Sequence, residues 1–449
     1  MSLSNNQTFS KLGFILTAAG SAVGLGNIWR FPYLTANNGG GTFILVYIVC
    51  SIFIGLSLLI AEFVIGKYLG HPFLEKLTNL KHHKVISKVI YLNPVLAFLI
   101  MSFYFVVAGW TLFYLVNSAT TFIHYKTSSS HIYYESIFNN LLANPIQLFI
   151  YSFVFLLITS FINYKGIIEG VEKLNLFLLP LLFVLLVVMV LKILSLNNAF
   201  DGVKYLFEFH KESFNLKMLV NALGQAFFSL SVGLGNMIVF ASFVPKNYNL
   251  KTSALSITII GTLVGIFAAL LIIPAVFSFG YSLNTGGPGL AFITLPMVFA
   301  HMNFGIVLAI LFFLVMVFAA VTSTISLVEV TIPYLIKLFN ISRNQAIILN
   351  GIIVTVLLFI QCLSFNIFSG IKIFNNNIFD FSNLLTSILF IFGATLIAFM
   401  IGWGMSKKDV RKELTNNESI AFPFFKTWLF TVKYIVPIIV TIMIIMIII

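Results

Sequence analysis

The chain has 449 residues, of which 60% are hydrophobic and only 8% are charged. A soluble domain carries about 25% charged residues, so this chain has too few to cover a surface exposed to water. The composition excludes a soluble enzyme, a nucleic-acid-binding protein and a disordered scaffold, and indicates a polytopic protein of the lipid bilayer. The formal net charge of +12 is not a sign of nucleic acid, because the basic residues cluster between apolar runs, where they report topology.

Eleven apolar runs are long enough for membrane-spanning helices, each of which needs about 20 residues. In chain order they cover residues 11–36, 41–69, 88–124, 146–164, 168–194, 217–245, 252–280, 304–338, 343–363, 379–404 and 424–449. We therefore predict an all-α integral membrane protein with about eleven transmembrane helices in a single domain, residues 1–449. Cys50 and Cys362 lie inside apolar runs and indicate neither a disulfide nor a metal site.

Lysine and arginine predict the orientation of these helices. With the N-terminus inside, seventeen of them fall in inside segments and seven in outside segments, and Lys433 lies within the last run. Positive residues favour the cytoplasmic side. The expected arrangement is a multi-pass protein of the cell inner (plasma) membrane, with a cytoplasmic N-terminus and, after eleven crossings, the C-terminus outside.

The pentapeptide Val-Gly-Leu-Gly-Asn occurs twice, at residues 23–27 in the first run and at residues 232–236 in the sixth. Because the two runs are five crossings apart, the second copy is inverted relative to the first. The sequence thus predicts a 5+5 inverted repeat, about 11–194 and about 217–404, followed by an appended helix 11, about 424–449.

Two glycines this close together weaken a membrane helix, and unwound backbone at that depth is tolerated only where it lines a protein-walled cavity. Close helix packing is the alternative use of such glycines. Since the pattern recurs in both halves, we predict that helices 1 and 6 are discontinuous around a central transport site.

Broken helices suit two kinds of ligand. Their N-terminal ends favour a carboxylate, and their free carbonyl groups favour a small hard cation. Side-chain oxygens lie nearby in the sequence: Asn27 follows the first break, Ser229 and Ser231 flank the second, and residues 322–324 form a hydroxyl cluster in the eighth run.

Longer segments resemble the neurotransmitter:sodium symporter family, and its bacterial amino-acid transporters in particular. They are residues 20–33 (GSAVGLGNIWRFPY) with 38–41 (NGGG), residues 224–233 (GQAFFSLSVG) and residues 287–296 (GPGLAFITLP). The resemblance implies a symporter rather than an enzyme. It would use sodium to import a small neutral amino acid, with an apolar or aromatic side chain, by alternating access.

The resemblance also implies binding residues. The substrate pocket would comprise Ala22, Gly26, Ile100, Tyr104, Phe228, Ser231, Leu234, Ser323 and Leu327. Sodium site 2 would use the carbonyls of Gly20, Val23 and Ala319 and the hydroxyls of Thr322 and Ser323. Tyr104 would bind the substrate carboxylate. Gly24 stands where monoamine carriers have an aspartate, which favours a substrate that keeps its carboxylate.

Sodium site 1 would use the Ala22 carbonyl, Asn27, Ser229 and the substrate carboxylate. The residue expected from helix 7 corresponds to Gly261, which has no side chain, so water, a shifted hydroxyl (Thr258 or Thr262) or loss of the site remain alternatives. Chloride dependence also stays open. Tyr47, Gln225 and Ser229 match chloride-lining positions, but Gly265 replaces the family's serine or acid.

Arg30 and Asp380 match the pair that forms the family's outer gate, for which a surface salt bridge is the alternative. The inner gate differs throughout. Asn5, Thr8, Phe243 and Lys337 replace the family's usual arginine, tryptophan, tyrosine and aspartate. These changes predict a bias towards the inward-open state.

Glu62 and Glu329 are ionisable residues at membrane depth, where such groups are usually functional. These two acids leave a proton-coupled amino-acid carrier as one alternative. The altered inner gate leaves a non-transporting amino-acid sensor as another. The identity of the amino acid, the sodium stoichiometry and the oligomeric state are also left open.

Overall fold

The computed structural model describes residues 8–74, 91–121, 131–281 and 287–448, and these form a helical protein. The helices that frame the first half are α1 (Lys11–Ala22), α2 (Gly26–Asn37), α3 (Gly41–Leu69), α4 (Asn93–Thr121), α5 (His131–Ala143), α6 (Pro145–Tyr164), α7 (Ile167–Leu194) and α8 (Ala199–Phe207). The second half contains α9 (Leu216–Ser229), α10 (Asn236–Ala241), α11 (Leu250–Ser278), α12 (Leu290–Ala300), α13 (Gly305–Phe339), α14 (Arg343–Leu363), α15 (Ile378–Gly404), α16 (Lys407–Thr415) and α17 (Phe425–Met446).

Within the described ranges, nine helices are long and apolar enough to cross a membrane, and α1 with α2 gives a tenth span bent by 57°. The sixth predicted run is divided into α9 and α10, with 14 and 6 residues, each too short for that count. Both interruptions lie where the repeated pentapeptide predicts them. The prediction of an all-α membrane protein with discontinuous helices 1 and 6 is confirmed.

Polar caps set the starts of several spans. The side chains of Ser10, Asn144, Asn215, Asn249, Ser342 and Asn377 each accept a hydrogen bond from a backbone N–H three residues later. Serine and asparagine satisfy the free N–H groups of a first helical turn in this way. The caps therefore explain why these helices begin within a few residues of the predicted runs.

The interrupted helices lie at the centre of the bundle. Helix α1 packs against α7, α11 and α13, and α10 packs against α3. Residues around both breaks, such as Val23 and Val232, are fully buried. Unwound backbone is thus enclosed by protein rather than by lipid, as its unpaired polar groups require.

Candidate functional site

The first break occupies residues 23–25, between α1 and α2. A Cβ atom on Gly24 would lie 2.6 Å from Ser323 Oγ and 3.0 Å from the Tyr104 hydroxyl. A Cβ atom on Gly26 would lie 2.0 Å from the Phe228 ring. The glycines of this break are therefore required because three other helices approach its backbone closely.

The second break occupies residues 230–235, between α9 and α10. Gly233 has φ +95°, a conformation that side chains disfavour, and its N–H donates a 2.6 Å hydrogen bond to Glu62 Oε1. Asn236 begins α10 and donates to Ser21 Oγ at 2.6 Å. A buried acid of α3 thus supports the second break, and Asn236 links it to the first.

The predicted substrate pocket lies between the two breaks. Ser231 Oγ donates to the Ser21 carbonyl at 2.8 Å, and the Tyr104 hydroxyl accepts the Leu25 N–H at 3.0 Å. Phe228 is half-buried and the other eight predicted pocket residues are buried. Four of the nine line a cavity of about 240 Å³, namely Gly26, Ile100, Tyr104 and Phe228. Ser231 and Ser323 both donate to the Ser21 carbonyl beside the first break. Leu234 and Leu327 are buried but do not line this cavity, so the full set of nine stays a prediction.

The residues predicted for sodium site 2 also meet. Thr322 Oγ1 lies 3.1 Å from the Ala319 carbonyl oxygen and 3.5 Å from that of Val23. A Cβ atom on Gly20 would lie 3.4 Å from Thr322 Cβ, so all four residues are neighbours. The fifth, Ser323, donates to the Ser21 carbonyl at 3.4 Å. Neutral oxygens from α1 and α13 are a donor set that fits a small hard cation.

The residues predicted for sodium site 1 are adjacent as well. Asn27 Nδ2 donates to the Gly261 carbonyl at 3.1 Å, and a Cβ atom on Gly261 would lie 3.2 Å from the Ser229 carbonyl oxygen. Asn27 Oδ1 is buried and has no hydrogen-bond partner, which leaves it available for a cation. The Thr258 hydroxyl donates to Ala254 within its own helix. Gly261 thus lies beside Asn27 and Ser229 and adds no side-chain oxygen to them, so sodium site 1 stays a prediction.

Asn175 of α7 is a polar residue of this region that sequence reasoning missed. Its Oδ1 atom is buried without a hydrogen-bond partner, and a Cβ atom on Gly20 would lie only 2.0 Å from it. Asn175 Nδ2 donates to Val171 within the same helix. No repeat or motif marks this asparagine, since its proximity to Gly20 depends on how α7 packs against α1.

Arg30 is held by α9 in this structure. Its Nη1 atom donates to Gln225 Oε1 at 2.8 Å, and its guanidinium group lies 5.6 Å from the centre of the Phe228 ring. Asp380 is exposed at the start of α15, and no ion pair joins these two described residues. The outer gate of Arg30 and Asp380 therefore stays a prediction. To form it, these two side chains must move towards each other.

We expect Asp380→Asn to shorten the lifetime of the bound amino acid about tenfold. An exposed ion pair contributes at most ~1 kcal/mol, which would change the lifetime by about five-fold. A larger change in the lifetime indicates that the pair closes over the substrate. Dissociation of a radiolabelled amino acid from the purified protein measures this lifetime. Asp409→Asn removes a carboxylate from the distant helix α16 and should leave the lifetime unchanged. Equal lifetimes in Asp380→Asn and the unmodified protein would contradict the gate.

Aromatic rings surround Phe243, one of the four residues predicted for the inner gate. The Phe9 N–H donates to the Phe243 carbonyl at 3.2 Å, and the two rings lie 6.2 Å apart, centre to centre. His71 stacks on Phe243 at 4.3 Å. The contacts around Phe243 are therefore aromatic rather than ionic.

The other three predicted inner-gate residues are not gathered around Phe243 by these contacts. Lys337 Nζ donates to the Leu74 carbonyl at 2.9 Å. Thr8 is exposed, and Asn5 lies outside the described residues. The altered inner gate therefore stays a prediction.

A buried carboxylate ties the start of α1 to α7. Glu172 Oε1 accepts hydrogen bonds from the Ser10 N–H at 3.1 Å and from Ser10 Oγ at 2.7 Å. Ser10 Oγ in turn accepts the Gly13 N–H at 2.9 Å and caps the helix. This contact therefore opposes any outward swing of α1 at the inner side.

We expect Ser10→Ala to favour the inward-open state. The change removes the cap of α1 and one bond to Glu172, a loss of about 1 kcal/mol or more. Ser242 lies beside Phe243 and is 5% exposed, so Ser242→Cys places a reporter cysteine at this position. Its labelling by a water-soluble maleimide should become about five-fold faster in the Ser10→Ala background.

Ser342→Ala is the matched control, because it removes a similar serine cap, from α14, without removing a hydrogen bond to Glu172. Unchanged labelling in Ser10→Ala, or the same acceleration in both variants, would contradict the proposed role. The same reporter tests the inward-open bias predicted from Asn5, Thr8, Phe243 and Lys337. Complete protection of Ser242→Cys in sodium would contradict that bias.

Glu329 has structural partners. It accepts hydrogen bonds from Arg343 Nη1 at 3.1 Å, from Arg343 Nη2, and from Asn163 Nδ2 at 2.8 Å. Glu62 Oε1 is engaged with Gly233, while its Oε2 atom has no hydrogen-bond partner. Both acids therefore stabilise the local fold, Glu62 at the second break and Glu329 between α6, α13 and α14.

The comparisons with known proteins agree with this architecture. The model of the sodium:neurotransmitter symporter family matches residues 6–146 and 138–449. An uncharacterized sodium-dependent transporter of Bacillus subtilis is 34% identical over 96% of this chain and 95% of its own. An uncharacterized sodium-dependent transporter of Haemophilus influenzae is 32% identical over 96% of this chain and 95% of its own.

A solved structure is similar over nearly its whole length. MhsT, crystallised in complex with L-phenylalanine, is 36% identical, with a TM-score of 0.88 over 98% of this chain and 99% of that one. Family model, relatives and solved structure thus indicate the same family over nearly the whole chain. The chain belongs to the sodium:neurotransmitter symporter family and is a membrane transporter rather than an enzyme.

Proposed function

We propose that the protein is a sodium-coupled symporter that imports a neutral amino acid, with an apolar or aromatic side chain, by alternating access. The observation that carries the proposal is the junction of α1 and α13. There Thr322 faces the carbonyl groups of Val23 and Ala319, while the next residue, Ser323, faces Gly24. The proposed cation site and substrate pocket are therefore adjacent, and they share Ser323.

The substrate class is argued from the pocket. Gly24 provides no negative charge for an amine, whereas the Tyr104 hydroxyl and the broken helix ends can bind a carboxylate. Ile100, Phe228, Leu234 and Leu327 offer apolar surface for the side chain, and no predicted pocket residue is acidic or basic. The complex of MhsT with L-phenylalanine supports the same class.

Sodium would act by joining the two helices. In site 2 the residues Gly20, Val23, Ala319, Thr322 and Ser323 would hold it, and in site 1 Ala22, Asn27 and Ser229 with the substrate carboxylate. An ion bound between α1 and α13 favours the state in which they touch, which raises substrate affinity by coupling the two sites. Release of the ion towards the inside would then free α1 to move.

The orientation of the protein in the membrane is part of the proposal. The distribution of basic residues supports a cytoplasmic N-terminus in the plasma membrane, and then the aromatic inner side formed by Phe9, Phe243 and His71 faces the cytoplasm. The cavity beside Arg30 then faces the outside.

Thermal unfolding of the purified protein tests the function. Twenty amino acids are compared in sodium and in potassium at equal ionic strength, because a ligand of the native state raises its apparent stability. We expect apolar or aromatic amino acids to stabilise the protein in sodium only. Equal stabilisation in both salts would favour a proton-coupled carrier or a sensor, and counterflow in liposomes separates these, since a sensor binds without flux. No stabilisation by any amino acid would contradict the pocket.

A further inference from the structure

We propose that an anionic phospholipid binds at the inner end of helices α6 and α14, with its head group in a basic cavity and one acyl chain in an adjoining groove. The cavity has a volume of about 500 Å³, and the groove about 730 Å³. Tyr164, the last residue of α6, lines both. The two spaces therefore meet at Tyr164, and neither shares a described lining residue with the cavity beside Arg30. Phe243 and His71 also line the basic cavity.

The groove has the character of a lipid-facing surface. It runs between α6 and α14 and is lined by apolar residues such as Leu157, Phe161, Ile348 and Ile352, which are 52%, 63%, 59% and 58% exposed. Both helices are long and apolar enough to cross the membrane. In a bilayer these side chains contact acyl chains, so the groove offers one chain a defined place.

The cavity has the opposite character. Lys165, Lys337 and Arg343 line it, and Glu329 is the single acidic residue among its described lining residues. Because Arg343 binds Glu329 directly, these two charges compensate one another. Lys337 donates to the Leu74 carbonyl, and Lys165 leaves the described lining with positive charge. Basic pockets between membrane helices bind anionic lipid head groups.

The start of α7 adds donors to the same cavity. Gly166, Ile167 and Ile168 line it, and no side chain caps this end of a span of 28 residues. The first N–H groups of a helix have no partners within the helix and attract phosphate. Arg343 Nε is also buried there without a hydrogen-bond partner. The cavity thus supplies charge and hydrogen-bond donors to one anionic group.

Charge complementarity decides between occupants of the groove. A neutral lipid would fill the groove but leave the basic cavity unmatched. A second copy of this chain would have to bring acidic groups to it. The expected occupant is a lipid of the inner leaflet, because the positive-inside distribution puts Lys165, Lys337 and Arg343 on the cytoplasmic side.

Native mass spectrometry of the full-length protein tests the proposal with two lipids that differ only in the head group. Dioleoyl phosphatidylglycerol is anionic, and dioleoyl phosphatidylcholine is neutral. We expect the delipidated protein to retain one phosphatidylglycerol more tightly than phosphatidylcholine. In Lys165→Gln the affinity for phosphatidylglycerol should fall roughly five-fold, to near that for phosphatidylcholine. Lys408→Gln, at an exposed lysine of α16, should bind as the unmodified protein does.

A second variant tests the acyl-chain groove. Gly351 lies in it, and a Cβ atom there would meet only Ser160 Oγ, at 3.9 Å, so Gly351→Leu has room for its Cβ atom and adds apolar volume to the groove. We expect this variant to lose the phosphatidylglycerol.

Three results would overturn the proposal. Equal retention of both lipids would remove the head-group site, and full retention in Lys165→Gln or Gly351→Leu would put the lipid elsewhere. A lipid-independent dimer that Gly351→Leu dissociates would identify the occupant as a second copy of the chain. Binding of the amino acid in sodium checks that each variant is folded, and it tests the proposed function separately.

Discussion

Replacing Gly24 with aspartate is expected to abolish binding of the amino acid, with an affinity loss of at least about a hundredfold. The new Cβ atom would lie 2.6 Å from Ser323 Oγ and 3.0 Å from the Tyr104 hydroxyl, so the carboxylate enters the proposed substrate pocket. There it meets the carboxylate of the substrate in a buried place. An uncompensated buried charge costs several kcal/mol, which corresponds to this factor. Isothermal titration in sodium measures the loss.

Two controls separate charge from volume and from folding. Gly24→Ala adds the same Cβ atom without the charge, so it should lose less affinity than Gly24→Asp. Gly370→Asp places the same charge where a Cβ atom meets no neighbour. Phenethylamine, which lacks a carboxylate, should still stabilise Gly24→Asp if the pocket is intact. Unchanged binding of the amino acid by Gly24→Asp would contradict the pocket.

The repeated pentapeptide predicted both helix breaks, but it did not predict why each break needs glycine. In the first break, Gly24 and Gly26 allow Ser323, Tyr104 and Phe228 to approach the backbone. In the second, Gly233 adopts a positive φ. A local pattern indicates where a helix is weak. The conformation that results depends on the side chains that pack against it, and these lie far away in the sequence.

The same reason explains the contacts that sequence reasoning missed. Asn175 approaches Gly20, and Glu172 binds Ser10, across more than 150 positions of the chain. No local spacing rule predicts a contact between residues this far apart in the sequence. The sequence predicts Asp380 as the partner of Arg30, but its partner in this structure is Gln225. Motifs therefore marked the residues of the candidate site, whereas the packing of α7 and α9 determined the hydrogen bonds among them.

Replacing Thr322 with alanine is expected to lower the apparent sodium affinity about tenfold or more. The hydroxyl lies 3.1 Å from the Ala319 carbonyl oxygen and 3.5 Å from that of Val23, so it is one of the few side-chain oxygens where α1 meets α13. A hard cation requires such oxygens to replace its water. Because the two sites are coupled, the affinity for the amino acid at fixed sodium should fall too. Sodium titrations of amino-acid binding measure both effects.

Thr324→Ala is the matched control for this experiment. Thr324 is also fully buried in α13, but its hydroxyl donates to Val321 at 3.1 Å and pairs with Thr159 at 2.9 Å on the side towards α6. Both variants should lose a similar free energy of unfolding, about 1 kcal/mol, since each loses a buried hydroxyl and its hydrogen bonds. Only Thr322→Ala should shift the sodium titration, and Thr322→Ser should restore it. A sodium curve of Thr322→Ala that overlays that of Thr324→Ala would show that the hydroxyl serves the packing of α13, and the ion would then have to bind elsewhere.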